Sequence, residues 1–219
     1  MKNFKAIIFD LDGTLVDSIY DLANAMNYIL TTNNLPTHNV ETYKLFVGNG
    51  IRKLVERALP EHLQTREKID IFHQQMLQYY NEHCIDKTHP YNGILELLDF
   101  LKQKQLAICI LSNKADELTK KIAKNLFKEN TFDIVQGAIP TIPRKPNPTA
   151  ALKIAKQLNL DCHEILYIGD TNIDIETAKK AGMYAVGCTW GFRQKEELEN
   201  AGADLIIDYT SDLITFLKD

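Results

Sequence analysis

Continuous apolar runs recur along the chain, at Ala6–Phe9, Leu106–Leu111, Ile165–Ile168, Tyr184–Val186 and Leu205–Ile207. They are short, mostly continuous, rich in β-branched residues and lack polar alternation, which predicts strands covered on both faces. Between them, apolar positions return at three- and four-residue spacing. Ile94, Leu95, Leu97, Leu98 and Leu101 share one helical face, and so do Leu152, Ile154, Ala155 and Leu158. Strand alternating with helix predicts an α/β fold built on a doubly wound parallel sheet.

One stretch departs from this alternation. From Asp17 to about Cys84 the spacing is helical, as in Leu22-Ala25-Met26-Ile29-Leu30 and Ile69-Phe72-Met76-Leu77-Tyr80, with Pro36 and Pro60 as breaks and no strand-like run. The expected organisation is a core of residues 1–16 and 85–219 with an all-helical insertion, residues 17–84. Open α/β sheets bind ligands beyond the carboxyl ends of their strands, and the insertion begins at such an end, so it is expected to act as a cap.

Composition narrows the function classes. The chain has 219 residues, 45% of them hydrophobic and 25% charged, which is globular and excludes wholesale disorder. Twenty-five Lys and Arg against 29 Asp and Glu leave a net charge of −4, with no basic field for a phosphate backbone, so nucleic acid is not expected as a partner. The apolar runs fall far short of the roughly 20 residues that cross a bilayer, so no membrane partner is expected. Ala6–Phe9 is cut off by Asp10 and Asp12, too short for the core of a signal peptide, and a cytoplasmic protein is expected. Cys84, Cys109, Cys162 and Cys188 stand singly, without the spacing of a zinc site or a disulfide framework, and Cys109 and Cys188 fall in core-like runs. No two of the six histidines have the i, i+4 spacing of a zinc motif, so each is expected to be solvated or core.

The chemistry concentrates where strands end. After the first apolar run stands Asp10-Leu11-Asp12-Gly13-Thr14. Isolated Asp-x-Asp pairs are often turn or cap residues. At a buried strand end, however, two such carboxylates resist joint ionisation unless a cation neutralises them or one holds a proton. Either outcome suits phosphoryl transfer, with one Asp as nucleophile and the other as general acid and then base. The run Ile165–Ile168 leads into Gly169-Asp170-Thr171-Asn172-Ile173-Asp174. Asp170 with Asp10 offers the oxygen ligands that suit Mg²⁺, and Asp174, one helical turn on, is placed to orient a coordinated water or a ligand. Alone, Asp174 reads equally as a helix-start carboxylate. Leu111-Ser112-Asn113-Lys114, between a strand and a helix, supplies a hydroxyl and backbone N–H groups for a phosphate, and Lys145, before Pro146 and a helix, supplies a cation.

These four segments, in order from Asp10 to Asp174, resemble the four motifs of the haloacid dehalogenase-like hydrolase superfamily, and the resemblance spans nearly the whole chain. It implies Asp10 as nucleophile and Asp12 as general acid/base. It also implies Ser112, Asn113 and Lys145 around the phosphoryl group, and Mg²⁺ held by Asp10, Asp170 and the carbonyl of Asp12, with Asp174 behind them. A carboxylate at Asp12 is similar to the phosphate-processing branch rather than the dehalogenases. Val47–Leu59, with Gly48-Asn49-Gly50, Arg52 and Lys53, resembles the small helical cap of phosphoglycolate phosphatases, as does the Trp190-Gly191 turn. That likeness implies a small phosphate ester as partner, 2-phosphoglycolate foremost, with Arg52 or Lys53 meeting its carboxylate. Helix capping by a Gly-rich turn beside solvated cations is the plainer reading of the same segment. A sugar-phosphate mutase or a pyrophosphatase of the same superfamily would carry the same catalytic residues, and the oligomeric state, monomer or homodimer, is left open.

Overall fold

The computed structural model describes residues 4–218. The chain divides into two compact units, one running up to Asp17 and resuming at Pro90, the other Ser18–His89. The larger contains six parallel strands, β1 (Ala6–Phe9), β4 (Ala107–Ala115), β5 (Ile134–Ala138), β6 (Ile165–Gly169), β7 (Tyr184–Cys188) and β8 (Leu205–Ile207), in the order β5-β4-β1-β6-β7-β8. Two-residue strands β2 (Val16–Asp17) and β3 (His89–Pro90) stand where the chain passes between the units.

Every residue of β1 is buried, as its uninterrupted apolar run requires of a central strand. On one face Ala6 and Ile8 of β1, Cys109 and Leu111 of β4, and Ile165 and Tyr167 of β6 form a single apolar cluster. Helices α7 (Thr149–Leu158), α8 (Asn172–Ala181) and α9 (Lys195–Asn200) contribute to it. The small side chains Ala150, Ala151, Ala155 and Ala178 in that cluster leave room for close helix–sheet approach. Helices α5 (Ile94–Gln103) and α10 (Thr210–Phe216) pack together, and Phe216 stacks on Tyr184 of β7 at 5.7 Å. Helix α6 (Asp116–Leu126) follows β4 without a gap and packs against β4 and β5.

The pairing register aligns three strand ends. Phe9 of β1 lies opposite Ile110 of β4 and Ile168 of β6, and the Asp10 N–H extends the β1–β6 ladder to the Ile168 carbonyl at 2.9 Å. From β1 the chain proceeds to β4 and β5 on one side and to β6, β7 and β8 on the other. The order of winding reverses at β1, and such a switch point opens a crevice at the carboxyl ends of the strands.

The smaller unit consists of α1 (Ile19–Thr32), α2 (Val40–Phe46), α3 (Ile51–Ala58) and α4 (Arg66–His83). The helix-spaced faces meet: Leu22, Met26, Ile29, Leu30, Leu54, Val55, Ile69, Phe72, Met76 and Tyr80 are all buried. Asn39 and Thr65 cap α2 and α4 by accepting the Thr42 and Lys68 N–H groups. This unit extends past the expected limit at residue 84 as far as His89. The cause is Asp21 of α1, whose buried carboxylate accepts the Lys87 and Thr88 N–H groups and the Thr88 hydroxyl at 2.7–3.0 Å.

Two local expectations also change. The segment Ser112–Lys114, expected as a turn, lies inside an extended β4, whose pairing with β5 slips register between Leu111 and Ala115. Strand β5 had no recognisable run, because an edge strand carrying Gln136 and Gly137 has no uniform apolar face.

Candidate active site

Asp10, Asp12, Ser112, Asn113, Lys145, Asp170 and Asp174 all belong to the larger unit, the first six at or near the carboxyl ends of β1, β4 and β6 or in the loop before α7. Asp10, Lys145, Asp170 and Asp174 are buried together. Carboxylate oxygens of Asp10, Asp170 and Asp174 lie within 4.8 Å of one another. The Lys145 ammonium reaches two of them, at 2.9 Å from Asp10 Oδ1 and 2.6 Å from Asp174 Oδ1. It also sits 5.9 Å from the centroid of the Tyr167 ring.

Each carboxylate is held from its own surroundings. Asp10 Oδ1 accepts the Leu11 N–H at 2.7 Å. Asp170 accepts the Thr14 hydroxyl on Oδ1 at 3.1 Å and the Phe192 N–H on Oδ2 at 2.8 Å. Asp174 Oδ2 accepts the Thr171 hydroxyl at 2.7 Å, which fixes the first turn of α8, while its other oxygen faces Lys145. Gly13, at φ +84°, and Gly191 allow backbone to pass directly over Asp170. A Cβ on either glycine would overlap that residue.

Three carboxylates with one buried ammonium leave an excess of negative charge away from water. Burial pushes Asp10 up to about 7, with Asp174 and Asp12 adding to the effect and Lys145 opposing it. Burial likewise raises Asp170 well above the usual carboxylate range, with Asp174 and Asp10 reinforcing it. Burial opposes the charge on Lys145, yet Asp10 and Asp174 outweigh it and hold the ammonium well above its ordinary value. An oxygen-only cluster this short of positive charge fits a hard divalent cation, and it brings Asp10 and Asp170 together. An Asp174 oxygen lies in the same cluster, and its partners there are Lys145 and Thr171.

The Asp12 side chain is not a member of that cluster. Both its oxygens lie on the Lys114 ammonium, at 2.7 and 2.9 Å. Ser112 is buried at the end of the apolar part of β4, and its Oγ accepts the Lys114 N–H at 3.2 Å. Asn113 exchanges two hydrogen bonds with the Lys145 backbone: its amide donates to the carbonyl at 3.1 Å and its carbonyl accepts the N–H at 2.9 Å. The Asn113 side chain therefore places Lys145. Sequence reasoning did not single out Thr14, Lys114, Thr171 or Phe192. Thr14 and Lys114 stand inside the recognised motifs, whereas Phe192 acts through its main chain and leaves no side-chain signal. Trp190 gains a physical role, its indole N–H donating to the Thr14 carbonyl at 2.9 Å.

The cap residues lie in the smaller unit. Gly48 and Gly50 occupy the left-handed region, at φ 107° and 86°. Asn49 Oδ1 accepts from Arg57 at 2.9 Å, and Lys53 pairs with Glu56 at 2.7 Å. Arg52 donates twice to Asp70, at 3.1 and 2.8 Å, beside a cavity of about 520 Å³ lined also by Glu56, Arg66 and Ile69. The Asp70 partner, 18 residues away, gave no sign in the sequence.

The chain is 32% identical to a phosphoglycolate phosphatase of Chromobacterium violaceum, over 100% of its own length and 98% of that protein. It is also 32% identical to a phosphoglycolate phosphatase of Aquifex aeolicus, over 97% and 96%. A crystal structure of a predicted phosphoglycolate phosphatase from Haemophilus somnus superposes with a TM-score of 0.91 at 29% identity, covering 99% of each chain. The profile of the haloacid dehalogenase-like hydrolases matches residues 7–188, a span that contains the whole buried cluster. The chain belongs to the haloacid dehalogenase-like hydrolases.

Proposed function

We propose that this protein is a Mg²⁺-dependent phosphatase that hydrolyses a small phosphate monoester, 2-phosphoglycolate, through an aspartyl-phosphate on Asp10. The observation that carries this reading is the convergence of Asp10, Asp170 and Asp174 with the single ammonium of Lys145 at the switch point of the sheet. Asp10, Asp170 and the Asp12 carbonyl would hold the cation, which supplies charge neutralisation at the phosphoryl oxygens when bound. One Asp10 oxygen attacks phosphorus as the bond to the leaving oxygen breaks. Asp12 passes a proton to that oxygen, and the alcohol departs. Ionised Asp12 then takes a proton from water as the water attacks the aspartyl-phosphate, releasing inorganic phosphate and restoring Asp10. Ser112 and Lys145 accept the phosphoryl charge throughout, and Asn113 fixes the segment that carries Lys145.

Substrate choice is assigned to the smaller unit, through Gly48, Asn49, Gly50, Arg52 and Lys53. The Arg52–Asp70 pair is half exposed and so worth at most about 1 kcal/mol, which leaves the guanidinium able to exchange Asp70 for a substrate carboxylate. Among the described residues no helix is long and apolar enough to cross a membrane. The test is a panel of 2-phosphoglycolate, p-nitrophenyl phosphate, hexose phosphates and pyrophosphate with Mg²⁺, run on the wild type and on Arg52→Ala. The wild type should prefer 2-phosphoglycolate. Arg52→Ala should lose on the order of 10- to 150-fold in kcat/KM on it and far less on the aryl ester. Isomerised sugar phosphate in place of free phosphate would reject the hydrolase reading. Equal losses on both esters would reject Arg52 as the carboxylate reader.

A further inference from the structure

Lys114 is a buried cation to which neither the motifs nor the proposed chemistry gives a task. Its side chain is 2% exposed, while that of the Asp12 it bridges is 18% exposed, so the pair stands at the wall of the site with the acid on the more open side. The two residues come from different strands. Lys114 lies in the irregular end of β4 and Asp12 in the loop after β1, and the β1–β4 pairing brings them together. Main-chain contacts hold the lysine on both sides: its N–H donates to Ser112 Oγ at 3.2 Å, and its carbonyl accepts the Thr119 hydroxyl at 3.2 Å.

We propose that Lys114 is a positioning residue for Asp12, fixing the plane of its carboxyl group so that one oxygen faces the leaving group; this rests on the phosphatase reading above. A single nitrogen at 2.7 and 2.9 Å from the two oxygens removes the free rotation of an acid on a loop. When Asp12 carries its proton, one bare oxygen stays on the ammonium and the other presents the O–H to the departing oxygen. When it is ionised, the same orientation serves the attacking water. A misplacement of about 1 Å costs on the order of 10²-fold in rate, so the lysine acts on turnover without touching substrate. The other buried ammonium of the site, that of Lys145, lies on Asp10 and Asp174 and not on Asp12.

The experiment compares the wild type, Lys114→Met, Asp12→Asn and the double variant on 2-phosphoglycolate and p-nitrophenyl phosphate, with Mg²⁺. The alkoxide leaving group needs protonation and the nitrophenolate does not. Lys114→Met should lower kcat/KM on 2-phosphoglycolate, which reports the step in which the leaving group departs, on the order of 10²-fold and should spare kcat/KM on the aryl ester, while kcat, which includes the shared water step, falls on both. The double variant should be no slower than Asp12→Asn, because both changes remove one device. Lys114→Gln, whose amide can still donate to one Asp12 oxygen, is made alongside as the variant better able to fold; it should lose less kcat/KM on 2-phosphoglycolate than Lys114→Met and likewise spare the aryl ester. Equal losses of kcat/KM on both esters, or kcat/KM losses that multiply in the double variant, would overturn the positioning role and leave the phosphatase reading intact. Failure of Asp12→Asn itself to spare kcat/KM on the aryl ester would overturn the acid role given to Asp12 and the positioning role with it.

Discussion

Asp10 and Asp12 stand two residues apart yet face different partners, Asp10 the Lys145 ammonium and Asp12 that of Lys114. Their substitutions should therefore differ in kind. Asp10→Asn removes the nucleophile and also one of three crowded negative charges. It should abolish turnover while leaving the circular dichroism spectrum unchanged and the melting temperature equal or higher. A melting temperature several degrees lower would show that the Asp10–Lys145 contact outweighs the relief of repulsion. Asp12→Asn removes a proton donor, so it should cost about 10²- to 10⁴-fold on an alkyl phosphate and less on an aryl one, measured with chemistry rate-limiting. Legibility at this scale follows the type of contact. Asp10 and Asp170 were visible because each follows on an apolar run, and Lys145 because it stands before Pro146 and a helix. The Asp12–Lys114 and Arg52–Asp70 pairs join residues 102 and 18 positions apart, and charge pattern along a chain carries no sign of such pairings.

Among the elements, the strand that was missed and the boundary that moved have a common cause, since both depend on contacts outside the segment concerned. The run Ala6–Phe9 coincides with β1 and Ile165–Ile168 falls within β6, because burial on the sheet interior imposes a pattern that the segment carries by itself. Strand β5 is defined by its pairing with β4, and the end of the smaller unit by a carboxylate 66 residues upstream, neither of which periodicity records. That carboxylate gives a further prediction. Asp21 is buried and satisfies two backbone N–H groups and one hydroxyl near the return of the chain. Asp21→Ala leaves those donors without their acceptor and should cost about 2–4 kcal/mol. At roughly 2–4 °C per kcal/mol for a chain of this size, thermal denaturation should show a melting temperature lower by about 4–16 °C. A shift below 1 °C would mean that water replaces the carboxylate without cost.

For the whole molecule, the buried charge of the larger unit sets how stability depends on pH and metal. Asp10 titrates at about 7 in the fold against 3.8 in the unfolded chain, so between those values the native state binds more protons than the unfolded one. The stability of the metal-free protein must then fall as pH rises from about 4 through about 7, and the raised Asp170 carries the loss further. A divalent cation binds the ionised carboxylates, so it competes with those protons and gains affinity over the same interval. Melting curves in EDTA and in Mg²⁺ at pH 5.5 and pH 8 test this. At 100 times its dissociation constant the cation adds about 2.7 kcal/mol, roughly 5–11 °C for a chain of this length. The Mg²⁺ increment should be large at pH 8, small at pH 5.5, and absent in Asp170→Asn at both. An increment that is independent of pH, or that survives in Asp170→Asn, would place the cation elsewhere than among Asp10, Asp170 and Asp174. Loss of activity in EDTA would then need another explanation than an emptied buried cluster.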